Sequence, residues 1–224
     1  ILGGRLGYVF FYQPNYYFQN PEDIFKVWNG GMSFHGGFLG VVLGAMIYAK
    51  GHRVNLLSLG DLIAFASPPG LLFGRLANFI NGELWGKPTT STWGMVFPTK
   101  GANLCPNNWI GACTRHPSQL YEAALEGLIL WLVMLTFILY FNSFKRRGEI
   151  ICIFLIGYGI SRAIIEIVRE PDAQFVSTIN PNGYILSLSD NIGLSMGQIL
   201  CVPMIMIGIF SIIIRQFLAS KTNN

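Results

Sequence analysis

Charge is what this sequence has least of. Only 12% of its 224 residues are Asp, Glu, Lys or Arg, against 52% hydrophobic, whereas about a quarter of an ordinary soluble chain is charged. With a mean hydropathy of +0.47, the composition is that of an integral membrane protein. Histidine is scarce at 3 residues and cysteine at 4. Neither type falls at metal-ligand spacing, so no metal site is expected. No glycine-rich phosphate-cradling loop of the nucleotide-binding type occurs, and no dissociable cofactor is implied. Basic residues form no stripe. The net charge of +4 is dispersed and Lys145-Arg146-Arg147 is the one basic run, which excludes a nucleic-acid partner.

What is present is a series of apolar runs separated by polar, aromatic connections. They predict an all-α, polytopic α-helical membrane protein forming a single integral membrane domain over 1–224, with five spans plus a partial N-terminal helix. Residues 1–12 are too short for the roughly 20 residues that cross a hydrocarbon core. The chain opens at Ile1 without methionine, and this segment reads as the end of a longer helix. Arg5 within it would snorkel, pair with a carboxylate or touch a lipid headgroup. Spans are expected at 32–49, 61–81, 119–141, 150–168 and 192–214, with Pro68-Pro69-Gly70 kinking or unwinding the second and Pro203 kinking the last.

Topology follows from basic loops. Lys50 to Arg53, Lys145 to Arg147 and the tail from Arg215 to Lys221 share one side under strict alternation, and the positive-inside rule makes it cytoplasmic. The aromatic connection 13–31, the long segment 87–118 and the connection 173–191 then lie outside, with 87–118 folded as a loop cap. Cys105 and Cys113 of that cap would share an oxidising compartment and are candidates for a bridge. Cys152 and Cys201 sit in apolar spans and read as packed thiols.

The stretch from Gly74 to Gly86 concentrates polar chemistry at the end of an apolar run. An arginine well inside a bilayer costs at least about 2.5 kcal/mol, so Arg75 should face a polar cavity. Arg75, Asn78 and Gly82 fall near one helical face. Tyr158, Arg162 and Glu166 follow one another at steps of four, again on one face. The Arg162–Glu166 pair reads either as a structural bridge or, together with Arg75, as part of a site for a shared anionic ligand. His35, between Ser33-Phe34 and Gly36-Gly37, reads either as an interfacial histidine bonded to a neighbour or as a proton acceptor where backbones approach closely. Glu122 and Glu126 read as acids favouring a helix N-terminus. Composition and spacing lead to a cavity for an anionic lipid. Three classes of function remain open on that basis: a lipid-handling enzyme, a transporter or flippase for anionic lipids, and a structural subunit whose arginines pair with Glu83 and Glu166.

The same residues carry a resemblance. Gly74-Arg75-x-Ala77-Asn78-Phe79-Ile80-Asn81-x-Glu83-x-x-Gly86 resembles the signature of the bacterial prolipoprotein diacylglyceryl transferases. The likeness extends through His35-Gly36-Gly37, His116-Pro117-Ser118-Gln119-Leu120-Tyr121-Glu122 and Tyr158-Gly159-x-x-Arg162-x-x-x-Glu166. It implies transfer of the diacylglyceryl group of phosphatidylglycerol to the lipobox cysteine of a prolipoprotein, presented with its signal peptide, with glycerol phosphate released. It also implies a multi-pass protein of the bacterial cytoplasmic (inner) membrane, in contact with membrane lipids. His35 matches the family histidine implicated as base, and Arg75 and Arg162 match its headgroup-binding arginines. Asn78, Glu83, Gly86, Tyr158 and Glu166 match further motif positions and would support substrate binding. The resemblance further implies a helix ahead of Ile1, whose residues lie outside this sequence.

Overall fold

The computed structural model describes residues 1–106, 109–171, 175–177, 180, 182–189 and 192–222. They pack as two compact units, Ile1–Gly60 and Asp61–Asn224.

In the first unit, α1 (Leu2–Phe11) and α3 (Phe34–His52) pack on glycine, with the short α2 (Pro14–Gln19) between them in sequence. A methyl placed on Gly7 would stand 2.7 Å from the Gly36 Cα, and one on Gly40 would stand 3.1 Å from the Gly3 Cα. Small residues one turn apart allow such backbone contact between apolar helices. Ser33 begins α3, its Oγ accepting from the Gly36 amide at 3.2 Å, and its own amide donates to the Gly4 carbonyl at 2.8 Å.

Arg5 neither snorkels nor takes a carboxylate as its hydrogen-bond partner. It is 3% exposed and donates to the main-chain carbonyls of Asp23, Ile24, Lys26, Gly30 and Gly31. Those carbonyls belong to a connection with few backbone partners, and a guanidinium carries enough donors to satisfy several of them at once.

The second unit is built on α4 (Leu56–Asn81, which enters it at Asp61), a continuous helix Ser118–Phe141, α7 (Glu149–Ile165) and α8 (Met196–Thr222). The helix Ser118–Phe141 comprises α5 (Ser118–Glu122), a π-helical segment Ala123–Ile129 and α6 (Leu130–Phe141). Ala64, Leu130, Met134 and Ile150 form the core, with Phe65, Phe154 and Tyr158 packed against it. Asp61, the single charge of its apolar run, caps α7 from a distance. Its carboxylate accepts the amides of Gly148 at 2.6 Å and Ile151 at 3.0 Å, two donors that a helix start leaves unpaired.

Helix α4 runs on through Pro68 and Pro69 without the unwinding the sequence suggested. It ends instead at Gly82, whose φ of 67° allows the Gly82 amide to reach Phe79 O and the Glu83 amide to reach Asn78 O at 3.1 and 3.0 Å. That is the Schellman ending, for which glycine is the usual residue. Helix α7 stops at Ile165, short of residue 168, as the amides of Ile167 and Val168 turn to the carbonyls three residues back, at 3.3 and 3.0 Å, and the carbonyls of Ile167 and Val168 accept from the Lys87 ammonium and amide, each at 2.9 Å.

The all-α expectation needs one correction. Two short strands, β1 (Leu186–Ser189) and β2 (Ile192–Leu194), pair antiparallel. The last helix therefore begins at Met196 and not at residue 192. Ser195 sets that start, its Oγ accepting from the Gln198 amide and its amide donating to the Gln198 side chain, a capping box.

The described residues of the expected cap segment, 87–118, are tied together where Pro88 and Met95 pair with Arg115. Cys105 and Cys113 are bridged, while Cys152 and Cys201 are free and buried. Arg115 holds the cap together. It is 2% exposed, donates to Ala102 O, Gly86 O and Leu104 O, pairs with Glu170 at 2.9 Å and lies 4.0 Å from the Trp85 ring centroid.

Among the described residues, three helices, Leu56–Asn81, Ser118–Phe141 and Met196–Phe217, are long and apolar enough to cross a membrane. Phe73, Leu139 and Val202 expose more than half of their surface. Apolar helix faces of this kind suit lipid.

Candidate active site

Polar chemistry gathers in the second unit around one carboxylate. Glu122 closes α5 and Glu126 lies in the π-helical segment that follows; π-helical turns inside α-helices recur at functional sites. Both side chains are fully buried. Three arginines from different stretches converge on Glu122: Arg75 of α4 with Nε at 2.8 Å, Arg162 of α7 at 3.5 Å, and Arg169 at 3.7 Å. Arg75 also approaches Glu126 at 3.8 Å, and Glu166 faces Arg162 at 2.9 Å and Arg169 at 3.9 Å. Among the described residues, no aligned hydrogen bond reaches the carboxylate of Glu122 or Glu126. Charge, more than directed hydrogen bonding, holds this cluster.

Its two sides differ. The Glu122 and Glu126 side chains have no exposed surface, whereas those of Arg75, Arg162 and Arg169 retain 18%, 13% and 17%. Formal charges balance, but the accessible side is guanidinium. Several planar forks in a low-dielectric setting suit a phosphate, whose oxygens they can hold in pairs. Tyr158, stacked on Phe154 at 5.6 Å, brings its phenol into electrostatic range of Glu126 and Arg162. The start of α8 closes on the same cluster at Gly197, where a methyl would stand 2.7 Å from the Glu166 carboxyl carbon.

The structure thus brings together Arg75, Arg162, Glu166 and Tyr158 of the residues expected from sequence. Asn78, Glu83 and Gly86 lie outside this cluster in the same unit. Asn78 does not join the arginines. Its Nδ2 donates to Glu83 at 2.9 Å, and that of Asn81 does so at 3.3 Å. These hydrogen bonds hold the exposed Glu83 carboxyl below the ordinary glutamate range. Gln119 reaches the Glu83 carbonyl at 2.6 Å, so this turn is tied to the helix that carries Glu122. Gly86 pairs with Arg169, and its amide donates to His116 O at 2.9 Å. His35 lies in the first unit, as the second residue of α3, and its side chain is outside the described residues. In the second unit, burial and then the Lys87 charge hold His116 below the usual histidine value.

Three residues of the cluster were not legible as such. Glu122 and Glu126 read as acids at a helix start, and Arg169 occupies no motif position. The available signal was charge balance: two arginines in an apolar chain call for buried counter-charges, and acids on the most hydrophobic helix can supply them.

A membrane-type helical protein with a buried arginine–carboxylate cluster is the class that fold and site define. The family is shown by comparison. The chain belongs to the prolipoprotein diacylglyceryl transferase family, whose model matches residues 1–214. It is 53% identical to the phosphatidylglycerol–prolipoprotein diacylglyceryl transferase of Ruegeria pomeroyi over 213 residues, 95% of this chain and 72% of that protein. The proteins of the same name from Rickettsia bellii and Nitratidesulfovibrio vulgaris are each 47% identical, covering 95% and 94% of this chain and 73% and 71% of their own.

Proposed function

We propose that this protein transfers the diacylglyceryl group of phosphatidylglycerol to the lipobox cysteine thiol of a prolipoprotein, whose signal peptide brings it to the membrane. The observation that carries the proposal is the convergence of Arg75, Arg162 and Arg169 on Glu122 in a chain of this family. The thiol loses its proton, and the resulting thiolate attacks the glycerol carbon that bears the phosphate. A carbon–sulfur bond forms, the carbon–oxygen bond to phosphate breaks, and glycerol phosphate leaves. The phosphate gains negative charge as it departs, and preorganised guanidiniums act most strongly on charge that develops in the transition state.

Arg75 and Arg162 hold the phosphate, with Glu166 and Tyr158 supporting them, and Asn78, Glu83 and Gly86 fix the turn and cap beside them. His35 is the proton acceptor for the thiol, a role suited to an imidazole that is mostly neutral at cellular pH. The protein is a multi-pass protein of the bacterial inner membrane, in which α3 and α7 cross together with the three longer helices. The Cys105–Cys113 bridge supports a cap on the outer, oxidising side. A cysteine placed at Arg146 should then resist impermeant labels in sealed cells.

The deciding assay supplies membranes containing the protein with phosphatidylglycerol labelled in its acyl chains and a lipobox peptide. Label should become covalently attached to the peptide thiol. A transporter of anionic lipids would move the label across the membrane and leave the peptide unmodified.

A further inference from the structure

Glu122 is the one residue of the cluster that meets every arginine in it, and it has no exposed surface with which to meet a lipid. The reaction as proposed gives it no step. Burying a carboxylate is costly unless cations compensate it, and here three do, each from a different stretch of chain. Arg75 comes from α4, Arg162 from α7 and Arg169 from the segment entering the cap contacts, where residue 169 pairs with Gly86. Like-charged guanidiniums repel one another, so without a negative centre they would spread apart. The π-helical segment begins directly after Glu122, and Gly127 within it packs so closely that a methyl there would stand 2.7 Å from the Leu72 side chain. The backbone carrying this carboxylate is therefore seated firmly against α4.

We infer that Glu122 is a positioning residue, a fixed negative post that sets three guanidiniums in the geometry a phosphate group needs. This rests on the phosphatidylglycerol reading above and deepens it. Positioning separates two quantities that ordinary structural damage moves together. Replacing Glu122 by Gln keeps the shape and removes one negative charge beside the phosphate site, so the anion is attracted more strongly at the same time as it is oriented less well.

The test measures turnover and the inhibition constant of glycerol phosphate for the protein in membranes, comparing wild type, Glu122→Gln and Glu122→Asp. Misplacement of reacting groups by about 1 Å costs on the order of 10²-fold, and a fall in kcat of that size is expected for Glu122→Gln. Its inhibition constant should fall by about tenfold, in line with one unit charge at close range in a medium of intermediate dielectric. Glu122→Asp keeps the charge but withdraws it by one methylene. It should lose turnover with the inhibition constant within about twofold of wild type, since the Coulomb attraction on the anion is nearly preserved. An inhibition constant belongs to the folded fraction alone, so partial misfolding would lower turnover and leave that constant at the wild-type value. That pattern in Glu122→Gln, or full turnover in it, overturns the inference. If Glu122→Gln yields no folded protein, full turnover in Glu122→Asp overturns it equally. Wild-type protein that neither transfers label nor is inhibited by glycerol phosphate would sink the functional reading itself, a result distinguishable from either.

Discussion

Gly86 and Val168 approach so closely that a methyl added to Gly86 would stand 2.6 Å from the Val168 carbonyl oxygen and 2.9 Å from His116. The Lys87 amide, one residue on, donates to that same Val168 oxygen at 2.9 Å. Gly86→Ala should therefore force the cap away from the end of α7. Overpacking of this sort costs about 1 to 3 kcal/mol, and Arg169, which pairs with Gly86, would shift with it. Thermal unfolding of the purified variant should show the loss, and a midpoint equal to wild type would remove the steric account.

Arg75→Lys should be damaging although charge is kept. One ammonium cannot contact Glu122 at 2.8 Å and Glu126 at 3.8 Å as Arg75 does and also present two parallel donors to a phosphate. Turnover should fall by roughly 10²-fold, the scale for losing one preorganised donor to developing charge. Arg162→Lys should behave alike, since it would strain the contacts to Glu122 and Glu166. Either variant transferring label at the wild-type rate would reduce that arginine to a structural partner of its glutamates.

The cap should prove to depend on Arg115 more than on its disulfide. Arg115→Met leaves the carbonyls of Ala102, Gly86 and Leu104 without their buried donor, at about 1 to 3 kcal/mol for each group left unpaired. Replacing Cys105 and Cys113 together by Ser opens only a short loop and should cost about 2 kcal/mol. Midpoints of thermal unfolding for the two variants would rank them, and the reverse order would show that the covalent tie dominates.

Glu83 gives a pH dependence of known sign. Hydrogen bonds from Asn78, then Asn81, lower its pKa in the folded protein. A carboxyl lowered in this way contributes stability that is fully present above the unfolded glutamate value and is lost as pH falls through the lowered folded one. Glu83→Gln should melt below wild type near neutral pH, and the gap should close in acid. A gap independent of pH would mean that the amide replaces the carboxylate at no cost.

His35→Gln should lower turnover by about 10² to 10⁴, the usual scale for general base catalysis. Raising the pH towards the thiol pKa of about 8.5 should restore part of the loss, because the nucleophile then ionises without help. Unimpaired turnover would remove His35 from the mechanism, and loss without recovery at high pH would count against its role as base.

The sequence alone determined those features that depend on single residues or on short periods. Low charge and apolar runs mark helices suited to a bilayer, because hydropathy is a local property. The steps of four from Tyr158 to Glu166 place an arginine and a glutamate on one helical face for the same kind of reason, and the Arg162–Glu166 contact at 2.9 Å follows. Basic loops placed Cys105 and Cys113 together on the expected oxidising side, which made them candidates for the bridge they form. Tertiary structure decided which charges answer one another. Glu122 and Arg75 lie 47 positions apart in the numbering, and no local period relates a carboxylate on one helix to guanidiniums on two other stretches. The same holds for Asp61 capping α7 and for Arg5 drawn to carbonyls of a folded connection. In each case a buried polar group takes its partner from a distant part of the chain, because leaving it unpaired away from water costs more than any local preference can repay.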